Sequence, residues 1–230
     1  MPYLYGFDTG FLLFFIPAII LAMYAQFKVQ STFAKYLKVP NRKGYTGAEV
    51  ARYILDANGL NDVRIERIPG ALTDHYDPSK RVLRLSEPVY SQPSIASISV
   101  AAHESGHAVQ HQRGYFPLIA RNALVPIVNF SAQFTWILII LGLIMSSASL
   151  IDAGIILFSA AVLFQIITLP VEFNASHRAL AMMSQSGIIT DDERPKARAV
   201  LSAAALTYVA AAAVSIAQLL RLLLIRGDRD

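Results

Sequence analysis

The chain has 230 residues and a formal net charge of +4; 54% of its residues are hydrophobic and only 16% are charged. Soluble chains carry about 25% charge, and the shortfall here falls in long uncharged runs, which excludes disorder and points to membrane insertion. Cysteine is absent, so disulfide frameworks, thiolate zinc sites, iron–sulfur clusters and cysteine nucleophiles are excluded, and any metal must be held by His, Asp or Glu.

Residues 11–27 carry no charge and, at about 1.5 Å per residue, cross most of a ~30 Å hydrocarbon core. Pro17 is a candidate bend. No Lys or Arg precedes this run and residues 22–25 lack A-x-A spacing, so it reads as an uncleaved anchor, not a signal peptide. Lys28, Lys35, Lys38, Arg42 and Lys43 follow it directly, which orients the N-terminus outside and the next segment in the cytoplasm. A basic flank beside a membrane span is explained by anionic headgroups, so no nucleic-acid partner is expected.

Thr46, followed three residues later by Glu49, is a capping box that opens a helix over residues 46–58, and Gly59 ends it. Residues 63–68 and 82–85 alternate as half-buried strands, separated by a turn at Asp77–Pro78. After Pro93 a long helical stretch contains His103, Glu104, Ser105, Gly106 and His107, the pattern H-E-x-x-H. Residues four apart share a helix face one turn apart, so both imidazoles reach one zinc ion and Glu104 projects beside them as a general base. His111 extends the series, but about 12 Å of helix separates it from His103, and it reads as an orienting or surface residue.

Two further apolar spans, residues 125–147 and 150–171, join through a short connection holding one acid, Asp152, and form a helical hairpin. A catalytic zinc takes three protein ligands. Among His75, His177, Glu172 and the scattered Asp residues, topology selects Glu172, because the hairpin returns it to the membrane side of His103 and His107, where a lone carboxylate near lipid is costly. The bland alternative is an interfacial acid paired with Arg178. Residues 200–225 form an Ala-rich fourth span whose end holds Gln218 and Arg221; Arg226 and Arg229 would then lie outside, against the charge rule, so a buried or re-entrant helix is the alternative.

The sequence therefore predicts a mainly α integral membrane protein, with four transmembrane helices and a small α+β domain on the cytoplasmic face. Its segments are an anchor (1–27), a helix-and-strand domain with the motif helix (28–122), and the hairpin, third-ligand segment and C-terminal helix (123–230).

The HESGH run, the later EFNASHRA, PGALTDHYDP at 69–78 and AAALTYVAAA at 203–212 resemble the YugP-type membrane-embedded neutral zinc metallopeptidases, over nearly the whole chain. More distantly, the order of motif helix, membrane hairpin and later Glu is similar to the HtpX-like gluzincin membrane proteases, where an ExxxD segment supplies the third ligand. The resemblance implies a gluzincin-like peptidase with one Zn2+ on His103, His107 and Glu172, Glu104 as base, and a peptide or membrane-protein substrate in a bacterial inner membrane. Ser176 departs from ExxxD, standing where Asp would orient a ligand histidine; Asn174 or water is the alternative. For an oxyanion donor, His75 and Tyr76 are preferred over His177, Arg178 and Tyr208, because they adjoin the strand at 82–85, whose edge would hold an extended substrate. The plain alternative is a polar turn capped by Asp74 and Asp77. A catalytically idle zinc-containing scaffold is the rival function, and a homo-oligomer or regulatory membrane partner is left open.

Overall fold

Residues 11–227 are described by the computed structural model. Four of its helices are long and apolar enough to cross a membrane: the stretches Leu12–Leu37, Phe116–Ile144, Ala148–Gln185 and Arg194–Gly227. A single π-helical turn, Phe11–Phe15, leads into α1, Ile16–Leu37. Pro17 lacks the N–H that would close an ordinary turn there, and its ring crowds the carbonyl four residues back. A wider turn ahead of it relieves that clash.

The chain falls into two compact units. The first comprises the described parts of Met1–Gln26, Ile119–Pro170 and Thr207–Asp230. It holds most of α5, Phe116–Ile144, the first part of α6, Ala148–Gln185, and the end of α7, Arg194–Gly227. α5 and α6 meet closely where small residues allow it: a Cβ on Gly142 would fall 2.7 Å from Ile151 and one on Gly154 2.5 Å from Ile139. Arg226 Nε donates to Asp152 Oδ1 at 2.7 Å, so the end of α7 lies beside the start of α6. The fourth apolar stretch is one continuous helix, and Arg226, one of the two arginines that strained the charge rule, has an acidic partner; Arg229 lies outside the described residues.

The second unit comprises Phe27–Leu118 and Val171–Leu206. α2, Gly47–Ala57, is capped by Thr46, whose side chain accepts from Glu49 N while Glu49 returns to the Thr46 backbone; Gly59 follows at φ +72°, a left-handed position that suits glycine. The three-stranded sheet has the order β1-β3-β2. β1, Arg64–Ile68, runs parallel to β3, Val82–Ser86, with Arg64 opposite Val82; β2, His75–Asp77, is antiparallel, with Tyr76 opposite Leu83.

β2 lies in the segment whose plain alternative is a polar turn. The turn expected at Asp77–Pro78 is present, where Asp77 Oδ1 accepts from the backbone of Ser79 and Lys80. The expected free edge on the strand at 82–85 is corrected: β3 is the central strand, paired on both sides, and has no edge left for a substrate.

A short helix α3, Glu87–Ser91, leads to α4, Ile95–Gln112, capped by Ser94. α4 is buried nearly all round, as befits a core helix. Ala96, Ala101, Ala108 and Val109 pack with Leu55, Leu83 and Leu85, whereas Ile95, Ile98 and Ala102 pack with Ile54, Ala179 and Met183. Each fully buried Leu or Ile here contributes about 1.5–3 kcal/mol, so the helix carrying the motif is fixed on two sides.

Candidate metal centre

Polar side chains on a buried helix must find partners, and α4 sorts its own. Ser97 Oγ donates to Pro88 O, Ser99 Oγ to Ile95 O and Ser105 Oγ to Ala101 O. His103, Glu104 and His107 remain for one another and for α6. His103 Nε2 lies 3.2 Å and His107 Nε2 3.5 Å from Glu172 Oε2. His103, Glu104 and Glu172 are 8%, 9% and 3% exposed.

Gly106 lets α6 come this close. A Cβ there would stand 2.9 Å from Ala175 O and 3.4 Å from Ala175 Cα, so backbone meets backbone one turn from Glu172. A glycine inside an otherwise good helix costs about 1 kcal/mol relative to alanine; here that cost secures the approach of the carboxylate.

The outer nitrogens of both imidazoles are also held. Ser176 Oγ is 3.2 Å from His103 Nδ1, so the serine at the departure from ExxxD does reach a ligand-type histidine. His107 Nδ1 is 3.0 Å from Gln110 Oε1. Gln110 is fully buried, and its Nε2 donates to Val171 O at 2.8 Å and to Asn174 Oδ1 at 3.0 Å. Both of those are acceptors, so the amide can face only one way, and its oxygen must meet a donor at His107. The proton of a neutral His107 therefore sits on Nδ1, and the Nε2 lone pair faces Glu172.

Two imidazole nitrogens and a carboxylate oxygen lie within 4.8 Å of one another, a set that a proton on an imidazole or a shared metal cation satisfies. Burial works against a charged imidazole at His107, yet the Glu172 hydrogen bond and the fields of Glu104 and Glu172 outweigh it and raise its proton affinity above the usual histidine value. Donors about 2.0–2.1 Å from a tetrahedral zinc stand roughly 3.3–3.4 Å apart; the observed 3.2 and 3.5 Å fit that spacing. Two His and one Glu are also the donor set of a catalytic, not a structural, zinc site.

A model of the family described as "Putative neutral zinc metallopeptidase" matches residues 11–227. The chain belongs to this family. "Putative membrane protease YugP" of Bacillus subtilis (strain 168) is 55% identical over 215 residues, covering 94% of this chain and 96% of that protein. No solved structure matches. Membership gives the protein the general class of zinc metallopeptidase, zinc as its cofactor and a membrane setting, in agreement with the donor set above.

The other residues singled out in the sequence lie around this core. Asn174 joins two donors, accepting from Gln110 and from Arg178 Nε at 2.7 Å. Tyr76 Oη is 3.0 Å from His111 Nδ1, on the same helix as the pair of ligand-type histidines. His75 is exposed, with Nδ1 2.9 Å from Thr73 O and Nε2 3.3 Å from Arg84. Asp74 accepts from Ser86 N at 2.7 Å; burial raises its pKa above the usual carboxylate value against the pull of those bonds, and the charge of Glu104 adds to the rise. Glu104 itself enters none of the hydrogen bonds or ion pairs among the described residues. Gln110 was not singled out from the sequence; its signal is its place one turn beyond His107, where i, i+3 side chains meet.

Proposed function

We propose that the protein is a membrane-embedded zinc-dependent endopeptidase, with His103, His107 and Glu172 holding the metal and Glu104 as general base. The observation that supports this best is the convergence of two imidazole Nε2 atoms on one Glu172 oxygen, beside the buried Glu104 carboxylate, which has no hydrogen bond among the described residues. Zinc, when bound, acidifies water and polarises a scissile carbonyl. Everything else is the chain's own work. Glu104 takes the proton of the attacking water and passes it to the departing amine. Ser176 and Gln110 hold the imidazoles with their Nε2 lone pairs inward. For the developing oxyanion, His75 and Tyr76 on β2 are the proposed donors; what supports them is that β2 packs against α4 and that Tyr76 is bonded to His111 of that helix.

The gluzincin-like domain is proposed to face the cytoplasm of a bacterial inner membrane, supported by the basic run from Lys28 to Lys43 after the first apolar stretch. It takes exposed segments of membrane proteins or peptides as substrate. In this reading residues 1–27 anchor the chain, 28–122 carry the base and two ligands, and 123–230 supply the third. The test is Glu104→Gln. It should lower peptide-bond cleavage by about 10²–10⁴-fold with zinc content unchanged; an undiminished rate would remove Glu104 from the reaction.

A further inference from the structure

Apart from the metal centre, the second unit holds a cavity of about 350 Å³ between α2, the end of α4 and the last turns of α6. Its walls are apolar at Ile54, Val109, Ala181 and Met182, and its polar groups are Asn58, Arg113, His177, Arg178, Gln185 and Ser186. The arginines decide what it would accept. Elsewhere in this unit Arg42, Arg52, Arg64, Arg67, Arg81 and Arg84 each stand opposite a carboxylate. Arg113, Arg178, Arg194 and Arg198 have no such partner among the described residues, and of these Arg113 and Arg178 line the same cavity.

The two side chains are held but not neutralised. Arg178 gives its Nε to Asn174 Oδ1 at 2.7 Å, which leaves the Nη donors of a planar guanidinium for another acceptor. Arg113 makes only a long bond, 3.4 Å, from Nη2 to Asn58 Oδ1. Two guanidinium groups lining a partly apolar site, Arg113 exposed and Arg178 half-buried, with an exposed imidazole beside them, match the charge of a phosphate better than that of any neutral group. The volume lies at the small end of the range for small-molecule sites, leaving room for a phosphate and a short apolar substituent.

We propose that this cavity binds the phosphate group of a small ligand. The bound group would be gripped by Arg113 and Arg178, with His177 at its side and the aliphatic wall of Ile54, Val109 and Met182 against the remainder. This does not depend on the peptidase reading, because none of these residues is a proposed metal ligand or base.

The test uses the full zinc-loaded chain in zwitterionic micelles, with inorganic phosphate and dihexanoyl phosphatidic acid as probes, followed by calorimetric titration. Saturable binding is expected, weakened at least tenfold by Arg113→Gln and by Arg178→Gln and unchanged by Lys28→Gln. In the unaltered protein, the better probe should slow phenylglyoxal modification of Arg113 and Arg178, read by mass spectrometry; this arm decides the matter if either variant fails to fold. Tighter binding of phosphatidic acid would identify a lipid headgroup and tighter binding of inorganic phosphate a free anion, and both support the shared chemistry. Absence of saturable binding with both probes overturns the proposal. So does binding that neither variant weakens and that protects neither arginine, as phosphate seated on the zinc would behave.

Discussion

Replacing Gln110 with leucine separates the orientation of the metal ligands from the ligands themselves. The side chain is fully buried and makes three bonds, to His107 Nδ1 at 3.0 Å, Val171 O at 2.8 Å and Asn174 Oδ1 at 3.0 Å. Leucine keeps most of the volume but leaves the His107 N–H without a partner, at a cost of about 1–3 kcal/mol for a buried group, whereas Val171 O, inside α6, loses only its additional donor. Loss of an outer partner of a metal-bound histidine typically weakens metal binding about 10–100-fold, equivalent to roughly 1.4–2.7 kcal/mol. The assay is zinc competition against a chromophoric chelator in detergent, paired with a thermal melt. Gln110→Glu sharpens the reading: it keeps an acceptor toward His107 but sets a carboxylate against Val171 O and Asn174 Oδ1, so it should lower the melting temperature more than Gln110→Leu and the zinc affinity less. Zinc held as tightly by Gln110→Leu as by the parent protein would refute the argument that the amide fixes the imidazole.

Gly106→Ala should push α6 away by several tenths of an ångström, since its Cβ would meet Ala175 O at 2.9 Å; we expect a loss of about 1–3 kcal/mol in stability and weaker zinc binding, measured by melting and chelator competition. Glu172→Ala removes one of three donors and should leave the purified protein with little zinc by elemental analysis, whereas full occupancy would exclude Glu172 from the site. The Glu49 carboxylate is held below its ordinary value first by the Thr46 backbone N–H and then by the Thr46 hydroxyl. Its contribution to the α2 cap is therefore complete at neutral pH and fades as pH falls through that lowered value. Glu49→Gln should accordingly lower the melting temperature at pH 7 and match the parent at the acid end of a pH series.

What could be read before the structure was whatever depends on short-range pattern. The Thr46–Glu49 box, the glycine stop at Gly59 and the i, i+4 pair of histidines are local, and each has one physical realisation on a helix. Glu172 could be reached from 69 residues away only because a hairpin of two apolar spans constrains where the chain returns. β2 was not legible: three residues, two of them half-buried and one exposed, carry no usable alternation, and their pairing with β3 is set by tertiary contact. That pairing in turn removed the open edge expected on β3. Gln110 was missed because a lone glutamine looks like any other surface residue until the acceptors around it, Val171 O and Asn174 Oδ1, are seen to fix its amide. The role of Gly106 was hidden for the same reason, since nothing in HESGH tells which neighbour presses against it.

One zinc ion held jointly by His103, His107 and Glu172 leaves a direct crystallographic signature. Crystals of the zinc-loaded chain, measured on both sides of the zinc absorption edge, test it most directly. A single strong anomalous peak is expected about 2 Å from His103 Nε2, His107 Nε2 and a Glu172 carboxylate oxygen, lost on Glu172→Ala. A peak bound to other residues, or none at this triad in active protein, would contradict it.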